Sequence, residues 1–243
     1  MAGENNRNAY AGRNVETLFR NSINDYPSIL ESIQKYFKLE GQFLHAIGGG
    51  IHGEKADVKL GFASGHFIDV NIKAYKGTGF NQLTRTTVTK FCERFSLDEY
   101  MEADLKNLII EKSKHTKSAL FNENAIGRWS NIVRKNAKAF LQWGFSYKAS
   151  REIIALYDRD TSVFRIYPMS DVLNKLSIDV NFTKGGFNIG NCVSFQRKGG
   201  NGSLSKTIPK HDIKHPGNNV QLKLKVHKFI DAMEGVKIGQ YTI

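Results

Sequence analysis

The spacing of the apolar residues changes along this chain, and that change constrains the fold more than any other feature. From about residue 83 to residue 145, apolar side chains recur every three or four positions, which is typical of helices. Towards the C-terminus they alternate with polar side chains, as in EIIALYD, SVFRIYPM and VQLKLKV, which predicts strands. Helical and strand patterns that occupy separate stretches indicate an α+β fold.

One domain over residues 1–243 is the simplest organisation of this sequence. The chain has 243 residues, of which 40% are hydrophobic, and this is enough to bury a core. No repeat, low-complexity tract or clear linker divides it. The helical pattern at about 96–146 indicates a helical lobe inserted into that domain.

The ends of the chain and its cysteines indicate a cytoplasmic protein. The start, MAGENNRNAYAGRN, is polar and lacks the apolar stretch of a secretory signal. No run approaches the roughly 18–20 apolar residues that span a membrane. Cys92 and Cys192 lie in apolar patterns and are expected to be buried thiols in a reducing compartment. We therefore expect no contact with membranes.

The charge of the chain favours a polyanionic partner. Lys and Arg number 35 against 23 Asp and Glu, which gives a net charge of +12. Such an excess favours nucleic acid, although a solvated basic surface would give the same count. The basic residues cluster with glycines, amides and aromatics in KAYKGTGFNQLTR and FQRKGGNGSLSKTIPKHDIKH. These segments can form loops, where binding residues tend to lie.

Residues 53–75, GEKADVKLGFASGHFIDVNIKAY, predict two strands at about 55–61 and 66–74 with a tight turn between them. Asp69, Asn71 and Lys73 share one face of the second strand, and Asp57 lies on its neighbour. Oxygen ligands from Asp57 and Asn71 suit Mg²⁺, and Lys73 could orient or deprotonate a water molecule. An edge strand with one solvated face shows the same alternation, so this pattern alone leaves both interpretations open.

Two further segments carry residue types that contact DNA bases. The first contains Phe80, Asn81 and Gln82. A phenylalanine can wedge between base pairs, and amides can bond to base edges. The second contains Gln196, Arg197 and Lys198. Arginine or lysine bound to guanine is the commonest specific contact. The alternative for the first segment is a loop that precedes a helix cap. The alternatives for the second segment are a phosphate-binding turn and a solvated hairpin end.

Two blocks, KADVKL…NIKAYKGTGFNQ and GGFNIGNCVSFQRKGGN…VQLKLK, resemble the MspI-like branch of short Type II restriction endonucleases. This branch of the PD-(D/E)xK superfamily includes a GCGC-cutting member, and it has Asn or Gln where the superfamily usually has a second acid. The resemblance implies a PD-(D/E)xK core, with a mixed central sheet flanked by helices and an inserted helical region.

The resemblance also implies roles for individual residues. Asp57 and Asn71 would bind catalytic Mg²⁺, Lys73 would hold the attacking water, and a helical glutamate, for which Glu16 is the candidate, would assist. The segments 80–82 and 196–198 would contact the bases, with Phe80 as the intercalating side chain. The chain departs from the superfamily in having Ala56 before the first acid. Asp69 is an extra acid that could bind metal or only solvate the strand.

A Type II restriction endonuclease is the function that this resemblance implies. Such an enzyme hydrolyses double-stranded DNA with Mg²⁺ at a short, GC-rich palindromic site and leaves 5′-phosphates. It would act as a monomer or weak dimer without a protein partner, paired in function with a cognate DNA methyltransferase. The alternatives are a non-catalytic DNA- or RNA-binding protein on the same fold and a structure-directed repair nuclease.

Overall fold

The computed structural model, which describes residues 14–48, 56–77, 80–145, 150–200 and 207–243, is built from both helices and strands. Its α-helices are α1 (14–22), α2 (Pro27–Phe37), α3 (Val88–Arg94), α4 (Glu99–Lys114), α5 (Glu123–Phe145), α6 (Met169–Leu176) and α7 (Val226–Met233). Its strands are β1 (Phe43–Gly48), β2 (Val58–Phe62), β3 (Phe67–Tyr75), β4 (Phe80–Thr86), β5 (Glu152–Asp158), β6 (Val163–Pro168), β7 (Val180–Thr183), β8 (Gly186–Ile189), β9 (Val193–Arg197), β10 (Val220–Lys225) and β11 (Gly239–Thr242). The predicted α+β class is confirmed.

The chain packs as two compact units. The first contains Met1–Asn81, Ser146–Val172 and Ile230–Ile243, and the second contains Gln82–Phe145 and Leu173–Phe229. Helices α4 and α5 belong to the second unit, together with the strands of its sheet. A single domain over 1–243 with a helical lobe at about 96–146 stays a prediction.

The sheet of the first unit is mixed, with the strand order β1-β2-β3-β5-β6-β11. Only β3 and β5 pair in parallel among its described strand pairs, and the other four pairs are antiparallel. The predicted hairpin is present as β2 and β3, in a register that pairs Val58 with Val70 and Leu60 with Ile68. Because β5 covers the other edge of β3, the strand with the candidate catalytic residues lies inside the sheet.

Helices α1 and α2 cover one face of this sheet. Apolar residues recur every fourth position at Val15 and Phe19 of α1 and at Ile23 of the 3₁₀ turn that follows it, and all are buried. Helix α2 begins with Pro27, whose missing N–H costs nothing in the first turn, and ends at Lys38 in the left-handed conformation. Alternate residues of β2 and β3 join the same core. The other residues of these strands, which include those between the core positions of β3, therefore point to the opposite face.

The sheet of the second unit has the order β4-β10-β9-β8-β7. Phe187 of β8 and Phe195 of β9 are directly opposite each other, and their rings stack with centroids 4.5 Å apart. Helices α3 and α5 pack on this face through Phe91 and Phe140, whose centroids lie 5.1 Å from Phe195 and 6.0 Å from Phe187. Burial of each large aromatic side chain stabilises the unit by roughly 1.5–3 kcal/mol.

The helical pattern predicted from residue 83 begins later in the structure. Residues 80–86 form strand β4, so Leu83 belongs to a strand and the segment 80–82 is not a loop. Helix α3 begins at Val88, where the Thr87 side chain caps it by accepting a bond from the Lys90 N–H at 3.3 Å. The apolar spacing from Val88 onwards fits a helix, but Leu83 lies five positions earlier, which is about 140° away around a helix. The threonines between Leu83 and Val88 favour a strand and a cap.

Candidate active site and nucleic-acid interface

Strand β3 carries Asn71 and Lys73 on the face that points away from the helical core. Asn71 is only 4% exposed, and its strand is paired on both edges. Lys73 is half-buried on the same face, two residues further along. The predicted alternation of β3 is therefore present, with the polar positions turned away from Ile68, Val70 and Ile72.

Asp57 lies directly beside these two residues. Its N–H donates to the Val70 carbonyl at 3.0 Å, and the register of β2 and β3 continued by one step places it opposite Asn71. Its Oδ2 accepts a bond from the Ile72 N–H at 2.6 Å. Because Ile72 separates Asn71 from Lys73, this bond holds the carboxylate between the two candidate catalytic side chains.

The surroundings of Asp57 disfavour the charged form of its carboxyl group. Burial raises the pKa of its carboxyl group above the ordinary value, and the Lys73 cation and the Ile72 N–H oppose this effect only in part. Burial disfavours the charged form of a carboxyl group in a low-dielectric site. A cation bound at this carboxylate would therefore offset the free-energy cost of burying its negative charge.

Glu16 and Asp57 line the same small cavity, which has a volume of about 50 Å³. Helix α1 contributes Glu16, Thr17 and Arg20, and the ends of β1 and β2 contribute the rest of the wall. The structure thus places Glu16 on the same cavity as Asp57, and Asp57 next to Asn71 and Lys73 on the strand pair, and all four predicted catalytic residues belong to the first unit.

Arg20 is a residue of this site that the sequence analysis did not select. It lies one helical turn after Glu16 and lines the same cavity. It also lines a neighbouring open cleft of about 550 Å³, together with two amides, Asn21 and Asn24. A Cβ atom on Gly48 would lie 3.1 Å from its Nη1, so a glycine there gives the guanidinium room. The sequence signal that could have identified Arg20 is its spacing of four residues from Glu16, which makes the two side chains neighbours on a helix.

The donor set fits Mg²⁺ better than a transition metal. Among the described residues, no group of three or more His, Cys, Asp and Glu side chains could hold a metal ion. Mg²⁺ is commonly bound by one or two carboxylates, with water and substrate phosphate completing the octahedron. Asp57 offers a half-buried carboxylate, Asn71 offers an amide oxygen, and the cavity that Asp57 lines also reaches Glu16.

Asp69 lies on the same face as Asn71 and Lys73 but has other neighbours. The strand register places it opposite Lys59 on β2 and beside Glu152 on β5. Oppositely charged residues that face each other across an antiparallel pair attract. This position favours a structural role for Asp69 over a role as a metal ligand.

The first predicted base-contacting segment divides between the two units. Asn81 belongs to the first unit, where its Nδ2 donates to the Ala74 carbonyl at 3.0 Å and ties the start of β4 to the end of β3. Gln82 is exposed and belongs to the second unit. The side chain of Phe80 lies outside the described residues.

The second predicted segment lies at the end of β9 and just beyond it. Gln196 is opposite Gln221 and Gly186, whereas Arg197 is opposite Val220. Successive strand residues point to opposite faces, so Gln196 and Arg197 do not share a face as one uniform patch. Lys198 follows the strand, and its N–H donates to the Asn219 carbonyl at 2.8 Å.

Positive charge is concentrated around this segment. The pKa of Lys198 is lowered by burial and by the cations Arg85, Arg197 and Lys223. Burial, Lys184 and Arg197 likewise lower the pKa of Lys112. These groups repel one another, and a bound anion would relieve that repulsion. The basic surface of the second unit therefore extends over four elements of its chain, which the sequence clusters did not show.

In the part of the chain that the structure describes, no helix is both long enough and apolar enough to cross a membrane.

Comparison with known proteins identifies the fold. No family model matches the chain, and no curated protein sequence matches it. The chain is similar in structure to the restriction endonuclease MspI, solved in complex with its cognate DNA, with a TM-score of 0.52. The alignment covers 86% of this chain and 83% of that one, at 16% sequence identity. The chain therefore has a mixed α+β fold similar to that of the restriction endonuclease MspI.

Proposed function

We propose that this protein is a Type II restriction endonuclease that hydrolyses double-stranded DNA with Mg²⁺ at a short, GC-rich palindromic site and leaves 5′-phosphates. The observation that carries the proposal is the position of Asp57. Its carboxylate is bonded to the backbone N–H between Asn71 and Lys73, in a fold similar to that of MspI. This arrangement is the one expected for the PD-(D/E)xK superfamily, with an amide in the second acidic position.

Asp57 and Asn71 would hold Mg²⁺, with Glu16 facing the same cavity. When bound, the ion would supply Lewis-acid stabilisation of the charge that develops on the phosphate. Lys73 would orient the attacking water through its ammonium group, which lies close enough to Asp57 to lower the pKa of that carboxyl group in part. The burial of Asn71 would keep bulk water away from this position.

The second unit would supply most of the affinity for DNA. Gln82, Gln196, Arg197 and Lys198 would contact bases or the backbone, with Phe80 and Asn81 at the start of β4. The net charge of +12 would favour association with phosphates. We expect a cytoplasmic enzyme that needs no protein partner, acts as a monomer or weak dimer and is paired in function with a DNA methyltransferase.

The test is a digest of long, unmethylated duplex DNA with Mg²⁺ and with EDTA. The wild type should give discrete bands with Mg²⁺ only, and mapping of the ends should give the site. Asp57→Ala and Lys73→Ala should each leave the DNA intact. Lys59→Ala is the matched control, because it removes a lysine from the same sheet face at the position opposite Asp69 and should still cleave.

A non-catalytic DNA- or RNA-binding protein is the second candidate function, and the amide at position 71 favours it. It predicts a retarded but intact DNA band in every lane, including those without Mg²⁺. Cleavage of junctions or mismatches without a fixed sequence would instead identify a structure-directed repair nuclease. Either outcome would contradict the proposal that this protein is a Type II restriction endonuclease.

A further inference from the structure

Asn218 is almost completely buried and has a bond at each atom of its side-chain amide. It ends the short helical turn Pro216–Asn218 and is 1% exposed. Its Nδ2 donates to the Lys210 carbonyl at 3.0 Å and to the Asp212 carbonyl at 2.7 Å. Its Oδ1 accepts a bond from Arg197 Nε at 2.7 Å. All of these residues belong to the second unit.

These bonds allow only one orientation of the amide. If the group were rotated by half a turn, its oxygen would face two carbonyl oxygens and its NH₂ would face a guanidinium, so every contact would be repulsive. The Asn218 oxygen is therefore held towards Arg197. It is the acceptor that fixes the Nε–H of that arginine.

The segment that carries Asn218 is itself fastened to the end of β9. The Lys198 N–H donates to the Asn219 carbonyl at 2.8 Å, and the Gly199 N–H donates to the Gly217 carbonyl at 2.9 Å. His215 accepts a bond from the Gly217 N–H at 3.0 Å through its buried Nδ1. Asn218, which accepts the bond from Arg197, therefore belongs to a segment whose backbone is hydrogen-bonded to the residues that directly follow Arg197.

Arg197 has further donors beyond the one that Asn218 takes. A guanidinium carries five N–H groups, and the four on its two terminal nitrogens form the planar fork that binds guanine O6 and N7 or a phosphate. Within the described ranges, no ion pair includes Arg197, and Lys112 and Lys198 are near enough for their pKa values to be lowered by its charge. A site with several cations and no ion pair to Arg197 among the described residues suits a ligand with electron-rich oxygen or nitrogen atoms.

We propose that Asn218 is a positioning residue for Arg197, which it orients so that the terminal nitrogens of the guanidinium contact the O6 and N7 edge of a guanine. This inference rests on the proposed function, because it requires that Arg197 contacts a base. Asn218 acts through Arg197 and does not itself touch DNA. An arginine held at Nε loses less conformational freedom when it binds, so its contact discriminates more strongly between bases.

Two substitutions at one position separate this role from a purely structural one. Asn218→Ala removes the acceptor for Arg197 and both donors to the 210–212 segment. Asn218→Asp keeps an acceptor for Arg197, removes both donors and places its second oxygen against the Lys210 and Asp212 carbonyls. If Asn218 only holds the segment, the Asp variant should therefore discriminate between bases no better than the Ala variant. If it orients Arg197, they should differ in discrimination between bases.

The experiment measures kcat/KM on duplexes that contain the mapped site, with each guanine replaced in turn by 7-deazaguanine. The wild type and Asn218→Asp should lose about 10-fold to 100-fold at one guanine. Asn218→Ala and Arg197→Ala should lose this discrimination, through KM rather than kcat, and the double variant should be no worse than Arg197→Ala. Asn181→Ala is the control, since that exposed amide bonds to the side chain of Asn191 in the same unit.

A second readout does not depend on cleavage. Hydrogen exchange of the Arg197 Nε–H, followed by NMR in the protein without DNA, should be slow in the wild type and in Asn218→Asp and fast in Asn218→Ala. Equal exchange rates, or equal discrimination in the Ala and Asp variants, would overturn the positioning role. If the wild type prefers no DNA sequence, the proposed function and the guanine contact fail together, and the exchange experiment still tests the bond to Arg197.

Discussion

Asp57 shows how the backbone of a neighbouring strand can hold a candidate catalytic carboxylate in place. Its place beside β3 was predicted from the sequence, but the bond from the Ile72 N–H depends on the register of two strands. Glu16 was selected only by resemblance, and the structure places it on the cavity beside Asp57. Arg20 was missed because a helical residue four positions from an acid is usually part of a solvated ion pair.

At the residue scale, we expect Asp57→Asn to stop cleavage and to change how stability depends on pH. The pKa of Asp57 is raised, so the folded protein keeps this proton over a pH range in which the unfolded chain has already released it. The free energy of unfolding of the wild type should therefore fall as pH rises through that range and level off above it. Asp57→Asn should lack this fall.

Urea unfolding without Mg²⁺, from about pH 3.5 to pH 7, measures this difference. The stability advantage of Asp57→Asn should be smallest at the acidic end and grow as pH rises. Asp25→Asn is the control, because it removes an exposed carboxylate from the first unit. An advantage that shrinks with rising pH would mean that the folded protein stabilises the Asp57 carboxylate.

At the scale of elements, the sequence predicted most strands and helices but not where one type gives way to the other. The β2–β3 pair and helix α2 lie where alternation and Pro27 placed them. Strand β4 was missed because the helical pattern that begins at Val88 was extended back to Leu83, and only pairing with β10 shows that this segment is a strand. The separation of Gln196 from Arg197 likewise follows from pairing, which a single sequence does not record.

Strand β8 depends on a glycine opposite one of the predicted base-contacting residues. Gly186 faces Gln196 with a φ of +155°, and a Cβ atom there would lie 2.0 Å from the Phe195 carbonyl oxygen. We expect Gly186→Ala to lower the free energy of unfolding by about 3 kcal/mol or more, because the backbone must move. Urea unfolding would measure the change.

Gly185→Ala is the matched control for that experiment. A Cβ atom on Gly185 would meet nothing within 4 Å, so this neighbouring substitution should have a much smaller effect. Similar losses in both variants would show that the β7–β8 turn requires glycine for its conformation rather than for the close approach of β9.

At the scale of the whole molecule, the spacing of the apolar residues predicted the class of fold, and the net charge predicted an anionic partner. The α+β class and the fold similar to MspI agree with the expectation from the sequence. The division into two compact units was not visible, because each unit is assembled from separate stretches of the chain. Composition also does not show that several cations gather around Lys198.

The net charge of +12 predicts DNA binding that weakens steeply with salt. If the protein neutralises about six to ten phosphates, the affinity should fall by roughly 10³-fold to 10⁵-fold between about 50 and 200 mM salt. Fluorescence anisotropy with Asp57→Asn protein, which should not cleave, would give the slope. A shallow slope would indicate that phosphate contacts contribute little.

Single lysines test which surface is responsible. Lys198→Ala should reduce the slope by about one, because it removes one phosphate contact. Lys106→Ala should leave the slope unchanged, since this lysine is paired with Glu102 at 2.5 Å within α4. Equal effects of the two variants would show that the cations around Lys198 do not determine the salt dependence of DNA binding.

The parallel pairing of β3 with β5 has a consequence for synthesis of the chain. Every proposed catalytic residue is encoded before residue 74, but the partner of Asn71 on β5 is Ile154. A nascent chain on the ribosome must therefore wait for about eighty more residues before β3 gains its second neighbour. Until then β3 has an open edge, with unpaired N–H and C=O groups to which another chain could pair.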